Sequence, residues 1–178
     1  DRAFRRHLDD AHRRAIDAAG LAQRRRAHGP HRCRRMQEAR QLLRMLPVGG
    51  SARVPWIDMD GVDSPDGDLK ERGFAKGALR FARGEGIALG RDGNRSELYI
   101  CFTMGGFEQL GQVWRYRPSR FEGDTREDSE PGVLELFVES ESADRLKNCD
   151  NVAVAPWGGL ILCEDGPQDR PQYVRGVT

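Results

Sequence analysis

The chain has 178 residues, 38% hydrophobic and 32% charged, with 29 Lys+Arg against 28 Asp+Glu for a net charge of +1. No apolar run approaches the roughly 18–20 residues that a membrane-spanning helix needs. No charged-then-apolar leader precedes a small-residue cleavage site, and the start at Asp1 instead of Met reads as a processed or truncated piece.

The near-zero charge conceals two unlike stretches. Residues 1–46 hold 13 Arg and 5 acids, a net of +8, and the remainder carries −7. All four histidines (His7, His12, His28, His31) lie in the basic stretch, where apolar residues are thin. Three readings compete for residues 1–46. One is a disordered or weakly helical segment with too little apolar surface to offset chain entropy. Another is a GC-rich gene read out of its native frame. The third is an arm whose Arg clusters contact phosphates, although no aromatic residues interleave to stack bases. No nucleic-acid partner is inferred.

From Val54 onward, turn signals recur between short runs of strand character. Gly86 to Leu89 is short, and Glu97 to Met104 is long and apolar. Gly111 to Arg117 sets Val113, Arg115 and Arg117 against Trp114 and Tyr116. Val133 to Glu139 alternates Leu134, Leu136 and Val138 with Glu135, Phe137 and Glu139. The order then restarts with Asn151 to Ala155, Gly159 to Glu164 and Gln172 to Val177. Laying the long strands over one another puts Tyr99-Ile100-Cys101 on Ile161-Leu162-Cys163.

This pattern predicts an all-β domain over residues 47–178. It reads as a partial β-propeller, about two blades of four-stranded antiparallel sheet. A sandwich of about seven strands fits the strand count as well. Trp56, Trp114 and Trp157 are expected to pack between blades, and Glu122 to Glu130 to form a solvated loop.

Acidic residues at strand ends carry the chemical signal. Arg83-Gly84-Glu85-Gly86 sets a carboxylate between glycines. Cys149-Asp150-Asn151 sets an acid and an amide at the equivalent place in the second unit, and Cys163-Glu164-Asp165-Gly166 ends the long strand with two acids. Carboxylates and an amide oxygen converging from several blades suit a hard cation such as calcium. Ordinary turn chemistry competes at Asn151 and Asp165. Cys163 beside them reads first as a small apolar filler. Arg83 suits an anionic substrate group held bidentately, although an exposed arginine before a turn is the commoner case. Four cysteines without Cys-x-x-Cys spacing argue against a zinc knuckle or a thioredoxin-like motif and leave disulfide connectivity open.

The strings FARGEGI (Phe81 to Ile87), LYICFTMGG (Leu98 to Gly106), GQVWRYRPS (Gly111 to Ser119), LELFVES (Leu134 to Ser140) and DNVAVAPWGGLILCEDG (Asp150 to Gly166) resemble the PhoX-type alkaline phosphatases and their uncharacterised bacterial relatives. The resemblance covers about Val54 to Thr178, with residues 1–46 outside it. It implies a fragment of a monomeric propeller phosphatase that hydrolyses phosphate monoesters with calcium and iron in its channel. It further implies export by the twin-arginine route to a periplasmic or extracellular location. Carried over, Glu85 is the first metal-ligand candidate, then Glu164, then Asp150 and Asn151, with Arg83 toward substrate. Cys163 is left unassigned, although the family's iron has a thiolate ligand. The fragment alone is expected to be inactive. The alternative is a non-catalytic calcium-binding propeller fragment, or a relative of other function.

Overall fold

The computed structural model describes residues 46–63, 66–165, 171 and 173–177. The basic stretch up to residue 45 lies outside these residues, as do its expected helices. The described residues form two compact units, Trp56–Arg80 and Leu46–Pro55 with Phe81 onward.

The first unit is built on helix α1, Leu69–Lys76, an element the strand pattern does not predict. Its signals are local. Asp68 sits at the N-cap position and pairs with the Arg72 guanidinium one turn on, at 3.0 Å. Gly77 ends the helix at φ +107°, the left-handed cap glycine adopts most readily. Glu71 in the first turn and Lys76 in the last suit the helix dipole. The Lys76 ammonium donates to the Asp58 carbonyl at 2.9 Å, and Arg72 donates to the Asp60 and Gly61 carbonyls. The helix therefore anchors the segment that precedes it.

The second unit is all β apart from one 3-10 turn at Glu127–Ser129. Its strands are β1 (Ser51–Val54), β2 (Gly84–Asp92), β3 (Arg95–Phe102), β4 (Gln112–Arg117), β5 (Gly132–Glu139), β6 (Cys149–Val154), β7 (Leu160–Glu164) and β8 (Val174–Val177). A five-stranded sheet has the order β1-β5-β4-β3-β2, and a three-stranded sheet the order β6-β7-β8. Every pairing is antiparallel. The seven expected strands are all present. The short run at Gly86 is the exception in extent, since β2 is nine residues long. Its hairpin partner β3 is reached through Gly93-Asn94, with Gly93 at φ +58°, a conformation that matches strand twist in tight hairpins. The expected four-stranded unit gains a fifth strand, because β1 pairs with the outer side of β5 from Ser51↔Glu135 to Val54↔Gly132.

One apolar cluster joins the two sheets. Tyr99, Cys101, Val113, Leu146, Cys149, Leu160 and Leu162 are buried together, with Phe137, Val138, Val152, Val154 and Val177 packed against them. Each such side chain stabilises the fold by roughly 1.5–3 kcal/mol. The overlay of the two long strands is one residue out of phase. Tyr99 and Cys101 are buried, whereas in β7 the buried apolar residues are Leu160 and Leu162, and Cys163 is exposed. A slip of one residue exchanges the faces of a strand, so the two aligned cysteines differ in environment.

The arginines of β4 are held by charge. Arg115 pairs with Glu135 at 2.8 Å and Glu97 at 3.6 Å, and Arg117 pairs with Glu135 at 3.0 Å. Glu97 and Glu135 are buried in consequence of this pairing. Trp114 is buried and meets Phe81 edge-on, as an interior tryptophan should, but Trp157 is 74% exposed on the β6–β7 turn. Within the acidic loop, Glu122 is not simply solvated, since it accepts hydrogen bonds from the Tyr116 hydroxyl and the Ser119 N–H. Among the described residues no helix is long and apolar enough to cross a membrane.

Candidate metal centre

The site begins at the entry to β2. The Arg83 and Ala82 carbonyls accept the Thr103 and Met104 N–H groups at 2.9 and 3.3 Å. Arg83 itself takes a left-handed φ of +59°, which costs a non-glycine residue on the order of 1–2 kcal/mol. Gly84 then pairs with Phe102, but the next paired residue is Ile87, opposite Ile100. One extra residue is thus inserted in β2, and Glu85 and Gly86 form a β-bulge.

A second bulge lies in β6. Cys149 pairs with Glu164 and Asn151 with Cys163, so Asp150 is the inserted residue. The two bulges face one another. A Cβ on Gly86 would lie 2.4 Å from the Asp150 carbonyl oxygen and 2.7 Å from the Asn151 Cα. Only glycine permits that approach, because backbone atoms on the far side cannot yield. The glycine after Glu85 is therefore the reason the Arg-Glu-Gly and Asp-Asn motifs meet.

The charges follow the backbone. Burial, then the negative charges of Glu85 and Asp165, push the Asp150 carboxyl above its ordinary value. The Arg83 guanidinium and a hydrogen bond from the Asn151 amide, at 3.0 Å, partly offset this. Arg83 also pairs with Glu85 at 3.6 Å in an exposed contact. Asn148, at φ +51°, ties the place together. Its side-chain amide donates to the Thr103 carbonyl at 2.9 Å, and its own carbonyl accepts the Asp165 N–H at 2.9 Å. Asp165, equally readable as turn chemistry, therefore joins the same electrostatic group. Its link to Asn148, across a sheet, leaves no mark in local sequence.

Four of the five predicted site residues, Arg83, Glu85, Asp150 and Asn151, are brought together. Glu164 is committed elsewhere. It is buried, pairs with Arg175 at 2.9 Å, and accepts the Lys147 and Tyr173 N–H groups at 3.1 and 3.2 Å. Those bonds hold β8 to β7 and leave both oxygens engaged inside the smaller sheet. Cys163 stands opposite Asn151 in the β6–β7 register, and opposed residues share a face.

The gathered donors are carboxylate and amide oxygens, the set that calcium prefers. They fit one side of a hard cation. No group of three or more His, Cys, Asp or Glu is assembled for a metal among the described residues. A family model described as alkaline phosphatase PhoX matches residues 6–178. The match takes in the Arg-rich stretch, which the string-by-string resemblance leaves outside. No curated protein and no solved structure matches the chain.

Proposed function

The chain belongs to the PhoX alkaline phosphatase family, and from that premise we propose that it is part of a metal-dependent hydrolase of phosphate monoesters. The facing bulges carry this reading, because they gather Glu85, Asp150 and Asn151 from two sheets at one exposed end. The meander β2–β5 and the restart at β6–β8 support two blades of a propeller, with the site at its channel. A periplasmic or extracellular setting follows by analogy with the family.

Calcium or iron held by Glu85, Asp150 and the Asn151 amide oxygen, with ligands from elsewhere, would neutralise phosphate charge and supply an activated water. The chain's own residues do the rest. Arg83 is exposed and only loosely paired with Glu85, so its guanidinium is available to grip a phosphate oxygen pair. Asp150 holds its proton more readily than an ordinary aspartate. A cation bound beside it would favour its ionised form.

The test is release of nitrophenol from its phosphate ester by the protein that carries this chain together with the remaining ligands, supplied with calcium and iron. Glu85→Ala is expected to lower the rate by about 100-fold with the far-UV circular dichroism unchanged. A second reading rests on the absence of a three-ligand group among the described residues. It is a single calcium site without turnover, shown by a calcium-dependent rise in Tm with no nitrophenol. If neither turnover nor stabilisation appears, both readings fail.

A further inference from the structure

Two free thiols meet at the seam between the sheets. Cys101 lies in β3 of the larger sheet and Cys149 opens β6 of the smaller. Both are fully buried, at 0% exposure, in the one apolar cluster that the sheets share. Cys101 stands opposite Val113 in the β3–β4 register, one residue along from the Gln112 carbonyl that the Cys149 sulfur approaches, and each thiol is the largest influence on the other's ionisation. The Cys149 sulfur also lies 3.5 Å from the Gln112 carbonyl and only 3.1 Å from where a Cβ on Gly111 would sit. The absence of a side chain at Gly111 is therefore what lets the sulfur in. The third described cysteine, Cys163, is on an exposed face.

We propose that Cys101 and Cys149 form a disulfide that staples the two sheets together when the chain folds in the presence of a disulfide oxidant. The inference is independent of the phosphatase reading. In the reaction, the S–S bond of one oxidised glutathione breaks and the Cys101–Cys149 bond forms, by way of one mixed disulfide. The two cysteines are oxidised, and their protons and electrons leave with two molecules of reduced glutathione. Burial sets the timing. A reagent reaches neither sulfur in the folded unit, so the bond closes as β6 docks and is afterwards shielded from reductant. The bridge removes freedom from the unfolded chain between the two sheets, an effect that grows with loop length.

The full chain is unfolded with denaturant and reductant, then diluted into a mixture of oxidised and reduced glutathione. Remaining thiols are blocked and peptides are mapped. The expected product is a monomer lighter by about 2 Da with a peptide cross-link joining Cys101 to Cys149. Its Tm should exceed that of the reduced chain by roughly 5–10 °C. Cys163→Ser should leave both results unchanged. Free thiols at both positions, glutathione capping of either, or a bridge made instead through Cys33 or Cys163 would overturn the proposal. Reading the peptide map on the unaltered chain keeps the test independent of whether Cys101→Ala folds.

Discussion

Asp150 shows how the site's chemistry becomes a stability effect. Its carboxyl is raised in the folded protein by burial and by Glu85 and Asp165. Between the ordinary aspartate value and that raised value, the folded state binds more protons than the unfolded state. Stability therefore falls as pH rises through this window, and the loss persists above it. Asp150→Asn should remove that slope and stabilise the chelator-treated protein at neutral pH, as read by urea unfolding between pH 4 and 7. An Asn variant less stable than the parent at pH 7 would contradict the electrostatic account. Glu164 makes the opposite point. In sequence it is one more acid at a strand end, but its oxygens serve Arg175 and two backbone N–H groups. Composition near a turn cannot distinguish a carboxylate left open to solvent from one saturated by its own sheet.

Among the elements, strand order and most strand ends were legible, because period-2 alternation and Gly/Asp/Asn punctuation are local properties. The two bulges were not. An inserted residue leaves composition untouched and changes only which partner stands opposite, as at Gly84↔Phe102 and Ile87↔Ile100. Strand β1 was illegible for a related reason, since its pairing residues on β5 lie far along the chain. Helix α1 did leave a signal, Asp68 before it and Gly77 after it, which strand-oriented reading passes over. The bulge in β2 invites a direct test. Gly86→Ala puts a methyl group against the β6 backbone and should cost about 2–3 kcal/mol in urea unfolding. A variant within 0.5 kcal/mol of the parent would mean that the bulges do not pack as described.

For the molecule as a whole, the shared core matters more than either sheet. Leu160 and Leu162 from the smaller sheet are buried with Tyr99, Cys101 and Val113 of the larger. Neither sheet keeps its apolar face covered without the other. Leu162→Ala should destabilise by about 3 kcal/mol, and tryptophan fluorescence (Trp114 in the larger sheet) should report the same midpoint as far-UV circular dichroism. Separate midpoints would show that the sheets are independent. The charge division seen in the sequence also changes its meaning here. The family match spans both the basic and the acidic stretches, so the +8 and −7 portions belong to one family sequence.

The pairing of β1 with β5 has a consequence for synthesis. Ser51 emerges from the ribosome long before its partner Glu135. At 5–20 residues per second, the strand waits roughly 4–17 s with its ladder groups unpaired. Through that interval the last of β2–β5 has yet to arrive, and β1 is a short strand with no edge to join. The larger sheet is thus completed from its β2 edge across to its β1 edge, with its first strand in the chain among the last to take its place.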